Sequence, residues 1–433
     1  MACYDPSVLN RRELIGRGIG FGLTLYASKL LTVDRVLEAA QAQAMPEAPI
    51  IVSVFLPGGC DLLATLPPME QLGRLNDLRR SLAVGDDLAR LPGESRLGMH
   101  PALGDGVGGG IAGMFEAGKI GFLPGIDYAN PDMSHFHSRH FWERGMITHD
   151  TGAGWLGRWL DGHGGVDNPL QGITMGGSLS PVLRSVRAPA AAVDDAGDAA
   201  LDFGGTWGTG VDKAAAAWAK LAAVPRDGAG PAAASHAARL TQDVARMLAP
   251  YGRDEKSGTD PLGSPVTGYP DEDFGQQLSQ LAALLSLPLG VRVATVDAPG
   301  DYDTHDNQPA ELDEALRQLS QGLSAFQADL EARGIADRVL TFVWSEFGRR
   351  PQSNESAGTD HGAGGIAWVQ GTRVRGGVLS EIPDLGRLDR DGNLAVTIDF
   401  RRVYASIMEQ WMGADAASVV PDAASVGRLA VVR

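Results

Sequence analysis

Cysteine is almost missing from this chain: there are two, Cys3 and Cys60, in 433 residues. Two thiols make no disulfide framework, and they exclude a zinc site built from paired cysteines. Any metal must therefore be held by histidine and carboxylate. Basic charge is also scarce, with 37 Lys plus Arg against 53 Asp plus Glu and a formal charge of −16. That argues against nucleic acid as a partner, because phosphate binding needs a basic face. A cation, or an uncharged or basic substrate, suits the balance better. Aromatics are only 6 %, no period repeats, and no stretch after residue 44 is long and apolar enough to span a bilayer. What is abundant is glycine, 57 residues, within an apolar fraction of 44 %. This composition excludes wholesale disorder and suits tight turns between strands and helices.

The first 44 residues read as an address. Arg11-Arg12 precedes an apolar, glycine-rich run from Ile19 to Val33, and Ala42-Gln43-Ala44 supplies a small-residue cleavage signal. The order is that of a twin-arginine export signal, although Leu14 stands where Phe is commonest. It predicts a periplasmic or extracellular protein that meets the twin-arginine translocase during export. Loss of 1–44 removes five basic and four acidic residues and leaves a charge of −17.

The remainder, 45–433, reads as a single α/β domain with an Ala-rich insertion around 185–237. Strands are expected at Pro49 to Leu56, Lys119 to Leu123 (stopped by Pro124-Gly125), Val291 to Val296, Val339 to Trp344 and Ile366 to Val369. Helices are expected over Leu103 to Ala117, Ser134 to Glu143, Ala238 to Leu248, Phe274 to Leu287, Ala310 to Arg333 and within Thr397 to Met412. Strands separated by helices predict a mostly parallel sheet covered on both faces, with sites beyond the carboxyl ends of strands.

Useful polar residues do follow the strand ends. Gly58-Gly59-Cys60-Asp61 follows the first strand; the glycines allow a tight turn that projects Asp61, whose plain alternative is to cap the next helix. After the second comes Ser134-His135-Phe136-His137-Ser138-Arg139-His140, which holds three of the nine histidines. Ser134 sits at a helix start, either as an N-cap or as a group whose oxygen is served by free amides. After the third come Asp301, Asp303 and His305. Asp303 and His305 share a side if the segment is extended, as two ligands of one metal would; Asp301 replaces Asp303 if it has turned helical. Glu346 ends the fourth strand in Ser345-Glu346-Phe347-Gly348-Arg349, and Thr359-Asp360-His361-Gly362 lies in a glycine-rich loop before the fifth. Five such clusters are expected to converge on one site.

Taken in order, these motifs, with His100-Pro101-Ala102-Leu103, resemble the bacterial family called domain of unknown function 1501, whose members typically carry twin-arginine signals. That family is similar to the alkaline phosphatase and sulfatase superfamily. The resemblance implies an alkaline-phosphatase-like core with divalent metals at the carboxyl ends of a parallel sheet. Residue by residue it implies Asp61, Asp303, His305, Glu346, Asp360 and His361 as metal ligands and Ser134 as nucleophile. His135, His137, Arg139 and Arg349 would contact substrate. One departure is clear: the strand before Ser345 should end in Asp-His and reads Glu346-Phe347. Either Asp360-His361 is that pair displaced, or His361 is the superfamily's last histidine and Glu346 stands alone; we prefer the second. A carboxylate-rich second site favours Mg, Mn or Ca over Zn. The expected function is an exported metal-dependent hydrolase of phosphate or sulfate esters. The alternatives are a non-catalytic envelope binding or assembly protein that keeps the fold, and a carbohydrate or polymer esterase.

Overall fold

The computed structural model describes residues 47–85, 88–91, 93–198, 229–253 and 258–433, with three isolated positions at 213, 217 and 220. The export segment and much of the Ala-rich stretch lie outside the described residues. Among those described, no helix is long and apolar enough to cross a membrane.

Thirteen strands are described: β1 Ile50–Phe55, β2 Ala89–Leu91, β3 Glu94–Met99, β4 Ile120–Asp127, β5 Gly172–Met175, β6 Ala191–Val193, β7 Val293–Asp297, β8 Val339–Trp344, β9 Gly348–Ser353, β10 Thr359–Gly362, β11 Gly365–Gln370, β12 Gly377–Val378 and β13 Ile398–Asp399. Nine form one sheet in the order β12-β4-β11-β8-β1-β7-β5-β6, with β13 also on β4. All its ladders are parallel except the two made by β11, which runs against β4 and β8. The fold is therefore α/β with a mixed, mostly parallel sheet. Because β11 is reversed, its amino end lies beside the carboxyl ends of its neighbours β4 and β8, on the sheet edge where β1, β5 and β7 also end.

Alternation along β1 sends Val52 and Val54 into one core and Ile51 and Phe55 into the other. Helices cover both faces, as a parallel sheet demands. The main ones are α1 Leu62–Thr65, α2 Leu72–Leu78, α3 Gly110–Glu116, α4 His135–Arg144, α5 Trp155–His163, α6 Ala229–Leu248, α7 Asp273–Ser286, α8 Gln308–Ala332 and α9 Phe400–Gln410. Leucines of α7 and α8 pack on the Val52 side. Trp142 of α4, Trp155 and Trp159 of α5, and Phe400 and Tyr404 of α9 pack on the Ile51 side. There Trp142 stacks between Trp344 and Phe400, at 5.4 and 4.5 Å between centroids.

Two expectations need correction. β4 does not stop at Pro124-Gly125 but runs on to Asp127. Proline is tolerated because the neighbour on that side is broken: β12 pairs with Gly121 and Phe122, β13 with Ile126 and Asp127. No ladder bond is asked of the missing N–H, and Pro124 O accepts from Ser380 Oγ at 2.7 Å and Thr397 Oγ1 at 2.9 Å. Second, 359–362 is not a loop but a strand of the β9–β10 hairpin, in which His361 pairs with Arg349.

Candidate metal centre

The central strands β7, β1 and β8 deliver three loops to one place. Gly58 and Gly59, just past β1, both adopt positive φ, +110° and +82°. A Cβ at Gly58 would sit 2.3 Å from the Asp303 nitrogen, so only glycine permits this approach. The turn aims its amides at Glu346, which comes from the end of β8. The Gly58 N–H lies 3.0 Å from Glu346 Oε1 and the Gly59 N–H 3.2 Å from Oε2. Ser345 Oγ lies 3.1 Å from the same carboxylate and His135 Nδ1 2.8 Å. Glu346 is 2 % exposed; Gly58, Gly59 and His135 are its donors, while the single Ser345 hydroxyl proton also has Leu56 O, at 2.7 Å, as an acceptor. The structure thus places Glu346 behind His135 rather than facing the centre itself.

Three imidazoles surround Asp303. His135 opens α4; its Nδ1 is held by Glu346 and its Nε2 lies 3.3 Å from Asp303 Oδ2. His361, on β10, points Nδ1 at Met133 O, 2.9 Å away, and Nε2 at Asp303 Oδ1, also 2.9 Å. His305 has Nδ1 3.4 Å from Asp360 Oδ1 and Nε2 3.1 Å from Asp303 Oδ1. A carbonyl only accepts, so His361 Nδ1 carries the proton and its Nε2 a lone pair; the Glu346 carboxylate sets His135 the same way. These lone pairs face a carboxylate and one another: His305 Nε2 and His361 Nε2 are 2.9 Å apart. His135 Nε2 is buried without a hydrogen-bond partner. A cation, or an extra proton, is what such an arrangement lacks. The ligand atoms of His135, Asp303 and His361 all lie within 4.8 Å of one another, a spacing that could hold one metal ion.

The electrostatics agree. Burial pushes the Asp303 carboxyl upward, but the Arg349 guanidinium bonded to it outweighs burial and brings it down to about 2. Asp303 is therefore an anion throughout the physiological range. The bond to Glu346 raises His135, whereas burial lowers His361.

The other expected residues fall around this centre. Arg349 is buried and fully engaged: Nε and Nη1 donate to Gly59 O and Thr359 O, and Nη2 to Gly58 O, Tyr302 O and Asp303 Oδ1. Expected as a substrate contact, it instead fixes Asp303, at 2.5 Å. His135, also expected among substrate contacts, belongs to the metal-ion group. Asp61 does not join that group. It caps α1 through Leu63 N–H and Ala64 N–H, pairs with buried Arg79 at 2.6 Å, and accepts from Gln308 Nε2 at 2.6 Å. Gln308 Oε1 in turn accepts from Thr304 and Thr359, and Arg79 donates to Pro351 O and Arg350 O. Asp61 thereby braces, from beneath, the two segments that carry Asp303, His305 and His361. Asp360 stands behind His305. His137 turns to Asp132, at 2.8 Å. Arg139 binds Glu143 at 2.7 Å and lies over Phe55. Ser134 is the residue before α4 and makes no side-chain capping bond.

Sequence reasoning missed Arg79, Gln308 and Thr359, whose partners are hundreds of positions away or generic in type. It placed Glu346 and His135 at the site, but His135 takes the place beside Asp303 expected of a ligand and Glu346 holds that ring from behind.

The family described as protein of unknown function DUF1501 matches residues 127–423. The chain belongs to this family. The family match takes in Ser134, His135, Asp303, His305, Glu346, Arg349 and His361, while the Gly58–Asp61 turn and the twin arginines precede it. No curated protein matches the chain.

Proposed function

We propose that this member of the family is an exported, divalent-cation-dependent hydrolase of esters, phosphate or sulfate esters first, with Ser134 as nucleophile. The observation that carries the reading is the inward set of Nε2 lone pairs on Asp303, each ring's other nitrogen turned to an acceptor. That second layer is how proteins orient metal-binding histidines. His135, Asp303 and His361 would hold the ion, with His305 at its side. A donor set this rich in imidazole favours zinc over Mg or Ca, which revises the preference drawn from the sequence.

A bound cation would supply Lewis-acid polarisation of an ester oxygen. The protein supplies the rest. Ser134 precedes the first turn of α4, where the free amides of the helix favour developing negative charge. Its hydroxyl is not spent on a cap. Glu346 holds His135 in one tautomer, and Arg349 keeps Asp303 ionised. The placement at the carboxyl ends of a mostly parallel sheet supports the alkaline-phosphatase-like reading, and the twin-arginine pattern supports export to the periplasm or beyond.

An acyl ester of a carbohydrate or polymer is the second reading. It is favoured by the engagement of Arg349 and Arg139, which leaves a phosphoryl or sulfuryl group without either guanidinium. The test is hydrolysis of p-nitrophenyl phosphate, sulfate and acetate with zinc or with EDTA. Cation-dependent release from one of the three that Ser134→Ala abolishes supports the hydrolase. No release from any supports the non-catalytic binding protein.

A further inference from the structure

Beside the imidazole cluster lies a cavity of about 630 Å³, bounded by the loop after β5, the start of α7, the end of β7 and Arg139 of α4. Its size is that of a small-molecule site. Its walls are mixed, with Met175, Leu179, Phe274 and Pro299 beside polar groups. The hydroxyl of Ser178, the amide of Gln277, and the carboxylates of Glu272, Asp273 and Asp297 are the polar ones, whereas the Thr174 hydroxyl is already bonded to Thr295 and Ser180. Arg139 is the single cation on the wall, and it is already bonded to Glu143.

We infer that this cavity receives a saccharide ring, uncharged or amine-bearing, as the alcohol portion of the ester; the inference rests on the hydrolase reading above. Three observations carry it. A hydroxyl, an amide and carboxylates set beside apolar side chains match a ligand that presents both hydroxyls and a C–H face. The charge on the wall, three carboxylates against one engaged guanidinium, repels an anionic ligand and tolerates or attracts an amine.

The third observation is Phe136, which is 87 % exposed. An isolated exposed aromatic is ordinary on a surface. This one sits between Ser134 and the rest of α4, one residue from His135. Arg139, three positions on and therefore on a neighbouring face of the helix, lines the cavity. Phe136 is not part of the cavity wall; as the helical neighbour of Arg139 it offers a flat apolar face to a ligand that extends past that residue, on which the C–H face of a sugar ring packs and toward which an amine is drawn by the ring's π-face.

The test is calorimetric titration of the purified chain with cellohexaose, chitosan hexamer and hexagalacturonate, with zinc and again in EDTA. The neutral or the amine-bearing hexamer should bind at one site per chain, and hexagalacturonate should not. Phe136→Ala and Gln277→Ala should each weaken binding at least tenfold with an unchanged melting temperature. Failure of both favoured hexamers to bind, tighter binding of hexagalacturonate, or unchanged affinity in both variants overturns the inference. The p-nitrophenyl panel is run alongside. Cation-dependent hydrolysis without saccharide binding overturns this inference alone, whereas saccharide binding without hydrolysis overturns the proposed function and leaves a glycan-binding site.

Discussion

Replacing Glu346 by Gln isolates what the buried carboxylate does for the metal centre. In the native arrangement its two oxygens accept from Gly58, Gly59 and His135. A glutamine keeps the shape but turns one acceptor into an NH2 donor, which then faces an N–H. A buried donor left without an acceptor costs about 1–3 kcal/mol. That is the expected loss of stability in EDTA, measured by denaturant unfolding. The second effect passes through His135. Without a carboxylate on Nδ1, the ring loses its fixed tautomer and orientation. Loss of such an outer partner lowers metal affinity by roughly 10- to 100-fold, or about 1.4–2.8 kcal/mol. Competition with a chromophoric zinc chelator reads it directly. The decisive comparison is a double-mutant cycle with His135→Ala. If Glu346 acts through His135, Glu346→Gln should no longer change zinc affinity once the ring is gone. A further tenfold loss in the His135→Ala background would refute the reasoning and make Glu346 a ligand in its own right.

Other outcomes follow from the same geometry. Asp61→Ala strands the buried Arg79 guanidinium and should cost about 3–5 kcal/mol; a loss below about 1 kcal/mol on denaturant unfolding would count against the bracing role. Asp303 has its carboxyl lowered to about 2 in the cation-free protein, below the unfolded value of about 3.9. It therefore contributes stability that is complete above about pH 4 and is lost as pH falls toward 2. In EDTA, Asp303→Asn should flatten that acid limb, and an unaltered limb would contradict the assignment. Ser134→Ala removes a hydroxyl that makes no capping bond, so stability should change by less than about 0.5 kcal/mol while turnover disappears and zinc stays. A loss near 1 kcal/mol with activity intact would make Ser134 an N-cap and nothing more.

The parallel sheet was legible because Ile50–Phe55 and Val339–Trp344 are apolar runs broken only by Ser53 and Thr341, buried on both faces. The α7 and α8 boundaries fell within two residues of expectation because their apolar positions recur at helical spacing. β5 and β6 were not seen: four and three residues long, they carry too little pattern to separate from loop. The reversal of β11 was equally hidden, since periodicity reports burial and not direction. At the site, alternation placed Asp303 and His305 on one side, with Thr304 turned into the Gln308 network. What stayed invisible were second partners. Nothing local distinguishes an aspartate that faces a cation from one that faces Arg79. The Gly58-Gly59 turn was expected to serve Asp61 and instead serves a carboxylate 288 positions later.

The proposed function requires that His135, Asp303 and His361 hold one cation, with His305 beside them. Calorimetric titration of the chelator-treated chain with zinc, beside His361→Ala, tests it most directly. The account predicts one site per chain in the wild type and at least a hundredfold weaker binding in the variant. Absence of binding in the wild type, or equal affinity in the two proteins, would contradict it.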